Sequence, residues 1–140
     1  PMTEQSGLDE FGDYPVSAFM DQIGLEVTEA SATLVRGSIQ IGPQHHQPFG
    51  IVHGGVWCSA IEAAASIGGT IAVSDSGRVA VGVNNNTNFV KSMSAGLVEV
   101  IAKPVTQGRT QQLWNVEIRR DEDNKLVATG QVRLHNINAR

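Results

Sequence analysis

Residues 54–74 read GGVWCSAIEAAASIGGTIAVS, a run of small and apolar side chains in which Glu62 is the one charged group. Its length and its lack of strand-like alternation predict a helix, and an all-round apolar helix must be wrapped by other parts of the chain. About 20 apolar residues also suffice to cross a bilayer. The composition argues against that, because the run is built of Gly, Ala and Ser rather than Leu and Phe and carries a carboxylate near its middle. A buried helix in a soluble domain, with no membrane partner, is the expectation.

The wrapping material lies on both sides. Downstream, 78–91 (RVAVGVNNNTNFVK), 96–105 (GLVEVIAKPV), 109–120 (RTQQLWNVEIRR) and 125–137 (KLVATGQVRLHNI) are predicted as four strands. The short links at 92–95, 106–108 and 121–124 predict a meander in which successive strands pair antiparallel. Upstream, Leu25, Val27, Leu34, Val35, Ile39 and Ile41 form period-two stretches that end at Gly42-Pro43, a strand pair or one bent strand available to the same sheet. Residues 15–22 (PVSAFMDQ) are predicted as a short helix, with Pro15 in its first turn and Gly24 at its end. Residues 1–14 are expected to form a loose arm, and 15–140 a single α+β domain in which a curved antiparallel sheet encloses the long helix. A chain of 140 residues, 41% of them hydrophobic, supports one such core and not two.

Charge and cysteine content narrow the partners. With a net charge of −4 and scattered basic residues, no footprint for a nucleic-acid backbone is visible. The single Cys58 excludes an intrachain disulfide framework, and it reads as a core residue without an activating base. No charged segment followed by an apolar run opens the sequence, so the expected setting is cytoplasmic. His45, His46, His53 and Glu62 show no ligand spacing of a known type, and no metal is expected.

The chemistry concentrates at the start and middle of the long helix. A helix N-terminus offers unpaired N–H groups and the positive end of the helix dipole, and His53-Gly54-Gly55 sits where that end should be. Glycine there lets a carbonyl reach the backbone, while His53 is expected to anchor the turn by hydrogen bonding. Glu62, placed in a helix expected to be buried, is costly unless hydrogen-bonded, paired or protonated. It suits either a nucleophile or a general base. Ser66, one turn further on the same face, is placed to hold that carboxylate or to orient water. Eight residues separate Gly54 from Glu62, about 12 Å along a helix at ~1.5 Å per residue. One helix does not bring both to one small reacting group, whereas two antiparallel helices from paired subunits do, so at least a dimer is expected.

The string Gln47-Pro48-Phe49-Gly50-Ile51-Val52-His53-Gly54-Gly55-Val56, followed by the lone helical Glu62, resembles the signature of the hotdog-fold thioesterases related to 4-hydroxybenzoyl-CoA thioesterase and the phenylacetate-pathway enzymes. The resemblance extends to Asn88-Phe89-Val90-Lys91 and to Gly108-Arg109, and departs at Ser92, where the family usually has proline. It implies a hotdog fold, two subunits sharing one continuous sheet, and hydrolysis of an acyl-CoA, aromatic or medium-chain, to free acid and CoA. It also implies that Gln47 contacts the thioester carbonyl region, that Arg109 and Lys91 meet the CoA phosphates, and that a dimer or a tetramer of paired dimers is the working unit. No cofactor is expected, CoA being part of the substrate. The competing expectation is a non-catalytic acyl-CoA sensor on the same fold.

Overall fold

The structure, a computed structural model, describes residues 17–139, so the expected arm and Pro15 lie outside the described residues. The first helix, α1, runs over Ala18–Ile23; the Ser17 hydroxyl accepts from Met20 N–H at its start, and Gly24, in the left-handed region at φ 77°, closes it. A strand pair follows rather than one bent strand: β1 (Glu26–Ala30) and β2 (Val35–Ile41) lie antiparallel. After a single 3-10 turn at Pro43–His45 and an irregular loop comes the long helix α2, Gly54–Val73. The remaining strands are β3 (Arg78–Phe89), β4 (Gly96–Gln107), β5 (Gln111–Arg120) and β6 (Leu126–Asn138).

All six strands belong to one antiparallel sheet in the order β1-β2-β4-β5-β6-β3. The expected four-strand meander is thus corrected: β4, β5 and β6 are consecutive neighbours, but β3 pairs with β6 at the far edge. Link length does not dictate pairing here. Six residues, 90–95, separate β3 from β4 and reach about 20 Å when extended, enough for the roughly 14 Å that three strand spacings require. The link passes the N-terminal end of α2, where Met93 is buried and its carbonyl accepts from Val52 N–H at 3.0 Å.

The sheet curls around α2. Trp114, Val116, Ile118, Val132, Leu134, Val98, Val100 and Ile39, all on its inner face, are fully buried with Ile61, Ala60 and Ala65 of the helix. Two glycines in mid-helix would normally weaken it by up to about 1 kcal/mol each. Their role is clearance: a Cβ on Gly68 would stand 2.3 Å from Trp114 Cη2, and one on Gly69 would stand 2.3 Å from Leu134 Cδ1. The buried polar side chains are paired. Gln112 donates to the Gly69 carbonyl and to Asn136 Oδ1, both at 2.9 Å, and accepts from Trp114 Nε1.

The helix is not wrapped all round, and here a second expectation is corrected. Gly55 and Glu62 are exposed and Ser59 and Ser66 half-buried, a stripe at helical spacing that the sheet of this one chain leaves open. The segment Gly54–Ser76 is long and apolar enough to span a membrane, but 61% of its most apolar window is buried within this domain, as befits a core helix.

Gly68→Ala is expected to destabilise the fold by roughly 1–3 kcal/mol, because an added methyl overpacks a site already filled by an indole. The denaturant midpoint should fall with little change in slope.

Candidate active site

The loop before α2 is fixed by a buried histidine. His45, 3% exposed, accepts from Gly42 N–H at Nδ1 (3.1 Å) and meets the Ile23 carbonyl at Nε2 (2.8 Å), which therefore carries the ring proton. Its carbonyl accepts from His53 N–H at 2.9 Å, so the end of α1, the 3-10 turn and the start of α2 are tied through one residue. The crossing link holds the loop from the other side. His46 Nε2 meets the Ser94 carbonyl at 2.7 Å, and the Ser94 hydroxyl donates to the Gly50 carbonyl at 2.9 Å.

At the helix N-terminus the first N–H groups are used unequally. His53 is the N-cap: its Nδ1 accepts from Gly55 N–H at 2.8 Å and its carbonyl from Val56 N–H at 2.9 Å. Gly54 N–H has no acceptor among the described residues. Gly54 lines a cavity of about 320 Å3 with Gln47, Trp57, Phe89 and Lys91 among others. The Gln47 carbonyl oxygen Oε1 accepts from Phe49 N–H, which leaves the amide nitrogen of Gln47 as the donor available to a ligand. A Cβ on Gly54 would stand 2.4 Å from the Phe89 ring, so this glycine is required by the aromatic lid of the cavity as well as by access to the N–H.

Glu62 lines a second cavity, about 300 Å3, with Phe19, Cys58, Ser59, Ala63, Ser66 and Asn85. Its carboxylate is exposed in the single chain, contrary to the desolvation expected for it, because the helix stripe on which it sits is the uncovered one. Asn85 Nδ2 donates to Glu62 Oε1 at 3.3 Å and to the Cys58 carbonyl at 3.0 Å. Within one protomer, then, the structure groups Gln47, Gly54 and Lys91 in one place and Glu62 with Ser66 in another. Gly55 belongs to neither: its N–H is consumed by the cap. Arg109 stands apart in the β4–β5 turn, where its carbonyl accepts from Arg78 at 2.7 Å and from Asn136 at 3.1 Å. Among the described residues, no group of three or more His, Cys, Asp or Glu side chains is placed to hold a metal ion.

Three residues that the sequence draws attention to without assigning them a catalytic or binding role contribute here. His45 reads as one of two adjacent loop histidines, and only its burial shows the latch. Phe89 and Asn85 lie in a strand whose facing cannot be read from its composition, since a run of three asparagines has no apolar alternation.

Residues 49–127 match the profile of the thioesterase superfamily. The chain belongs to that superfamily. It is similar to the Mycobacterium tuberculosis protein Rv1847, with 44% identity over 89% of this chain and 99% of that one at a TM-score of 0.85. The Haemophilus influenzae thioesterase HI1161 shares 27% identity over 94% of this chain and 88% of its own, at a TM-score of 0.82. A 1,4-dihydroxy-2-naphthoyl-CoA hydrolase of Listeria monocytogenes is 33% identical over 107 residues, 76% of this chain and 85% of the relative. Superfamily membership makes the chain a thioester hydrolase with the hotdog fold.

His53→Ala should release Gly55 N–H and weaken the helix start by about 0.5–2 kcal/mol, the usual range for a lost N-cap. Urea unfolding followed by far-UV circular dichroism reads the loss.

Proposed function

We propose that this thioesterase hydrolyses an acyl-CoA to the free acid and CoA at a site composed from two copies of the chain. The observation that carries the reading is the separation, in one protomer, of the free Gly54 N–H from the Glu62 carboxylate, each in its own open cavity.

Thioester hydrolysis places negative charge on the carbonyl oxygen as the tetrahedral species forms. Gly54 N–H, at the positive end of α2, and the Gln47 amide are the donors for that oxygen, and they act where charge develops. The Glu62 carboxylate of the second copy approaches the carbonyl carbon, either attacking it or removing a proton from the water that does, with Ser66 beside it. A second copy fits because, among the described residues, β3 pairs on one side only and is 12 residues long, with Val83 exposed at 55%. An unpaired edge of that length is a template for another strand, and pairing β3 with its symmetry mate brings two α2 helices side by side and antiparallel. Each site then takes Gln47 and Gly54 from one chain and Glu62 from the other, and the stripe left bare by the sheet becomes covered.

An acyl-CoA is supported by the superfamily and by the Listeria relative named for a CoA thioester. An aromatic or a medium-length acyl chain suits the Trp57, Phe89 and Val52 lining of the Gly54 cavity. Lys91, exposed on the rim of that cavity, is placed for a CoA phosphate, and Arg109 serves the same ligand from its separate turn. No cofactor is needed for this chemistry.

The first test is thiol release from a panel that includes benzoyl-CoA and hexanoyl-CoA. Glu62→Gln should lower kcat by about 100-fold or more while CoA still binds. Binding without turnover in the wild type would make the domain a sensor instead. The composite site has its own test in mixed dimers of Gln47→Ala and Glu62→Ala chains. One site then collects both lesions and the other neither, so activity should exceed that of either parent; a simple average would mean that both residues serve the same chain's site.

A further inference from the structure

We infer that a β-bulge in β3 positions the Glu62 carboxylate, with Asn85 holding one of its oxygens and Gly82 making room for the other. The inference rests on the reading of Glu62 as the catalytic carboxylate.

In a regular strand successive side chains alternate between faces, so residues three apart point to opposite sides. Gly82 and Asn85 are three apart, yet both face α2. A Cβ on Gly82 would stand 2.9 Å from Glu62 Oε2, and Asn85 Nδ2 reaches Glu62 Oε1 at 3.3 Å. The register explains it: Gly82 opposes Leu134 and Asn84 opposes Arg133, so Val83 is an extra residue with no partner on β6. That bulge flips the alternation, bringing Asn85, Thr87 and Phe89 round to the helix. It also accounts for a tract that strand propensity disfavours. Of Asn84, Asn85 and Asn86, only the middle one turns inward; Asn86 faces a polar groove on the outer side of the sheet with Asn88, Asn115 and Gln131.

The orientation of Asn85 is fixed by its partners. Cys58 O and the Glu62 carboxylate are both acceptors, so both must meet the amide NH2, and the amide oxygen Oδ1 accepts from the Thr87 hydroxyl at 2.7 Å. Every hydrogen-bonding group of the amide thus has a partner that allows one rotamer and one flip. Anchored to the helix backbone at Cys58, the side chain holds Glu62 Oε1 and leaves Oε2 over Gly82, where the strand presents no side chain. One oxygen is fixed and the other is free to react. Asn85 and Gly82 are positioning residues, acting only through Glu62.

Three variants test this: Asn85→Leu, similar in size without donors; Thr87→Val, which removes the hydroxyl that sets the amide; and Gly82→Ala, which displaces Oε2. Steady-state kinetics would use benzoyl-CoA or hexanoyl-CoA, whichever the wild type turns over faster, on variants whose circular dichroism and melting temperature show them folded. Asn85→Leu and Gly82→Ala should lower kcat roughly 10- to 100-fold with KM within about two-fold, as misplacement of a reacting group by about 1 Å does, and Thr87→Val should do so to a lesser degree. Adding Asn85→Leu to Glu62→Gln should change the residual rate by less than about two-fold, because a residue that acts through Glu62 has nothing left to position. If Asn85→Leu does not fold, Thr87→Val and Gly82→Ala decide on the same two readouts. Folded Asn85→Leu and Gly82→Ala variants with kcat near wild type, or an Asn85→Leu loss that persists undiminished in Glu62→Gln, would overturn the inference. An active Glu62→Gln enzyme would instead remove the assignment of Glu62 on which it rests.

Discussion

The depth to which α2 sinks into the sheet sets the geometry of both cavities and of the strand edge beside them. Gly68 against Trp114 and Gly69 against Leu134 leave no room for a methyl, and on the sheet side a Cβ on Gly130 of β6 would stand 2.7 Å from Thr87 Oγ1 and a tight 3.2 Å from Ile61 Cγ2. With larger residues at these points the helix would ride higher. It does not, and so the edge strand β3 passes close enough for Gly82 and Asn85 to touch Glu62 and for Phe89 to cover Gly54. The glycines lower helix propensity locally, and the dense packing of indole and leucine against bare backbone offsets it. Packing and site geometry are here one constraint.

Much of this was legible in the sequence, and the limits are physical. The helix boundary at Gly54, the four strands after it, the β character of 25–41 and the α+β class follow from local pattern, because a 20-residue apolar run and period-two stretches are properties of neighbouring residues; that 25–41 forms two strands and not one bent strand does not. The pairing of β3 with β6 is not local. It depends on a link long enough to cross the sheet, and nothing in 90–95 distinguishes a crossing link from a hairpin. Glu62 shows the same divide. Its place as the one charge in the helix is plain, but whether its stripe is covered depends on how far one sheet curls, and the sheet stops short. The bulge at Val83 is set by register against β6, so the inward turn of Asn85 was invisible among its neighbours.

The open stripe and the open strand edge are two expressions of one shortage. Among the described residues, a sheet of six strands covers the Ile61, Ala65 and Gly68 side of α2 and leaves Gly55 and Glu62 exposed and Ser59 and Ser66 half-buried, while β3 keeps one side without a partner strand. The described residues hold no further strand to place at either. A second copy paired through β3, as proposed, closes both at once, since extending the sheet also lays a second helix along the first. In the proposed dimer it would also remove water from around Glu62 and Gly54, which strengthens electrostatic interactions there. On the proposed reading, the carboxylate that is exposed in one chain would thereby gain the water-excluded environment that catalysis calls for.

The use of backbone donors at the start of α2 points the same way. A helix leaves its first N–H groups without intrahelical partners, and any of them would bind an oxyanion. This chain assigns two of them to His53, through its ring and its carbonyl, and keeps Gly54 N–H unassigned. Had His53 been an apolar residue, several donors would compete for one carbonyl and its position would be poorly defined. With Gly55 and Val56 engaged, one direction remains, and the His45 latch fixes it by holding His53 N–H to its own carbonyl. If Gly54 N–H receives the reacting carbonyl as proposed, its orientation is built from the loop inward, by His45 and His53, before any substrate arrives.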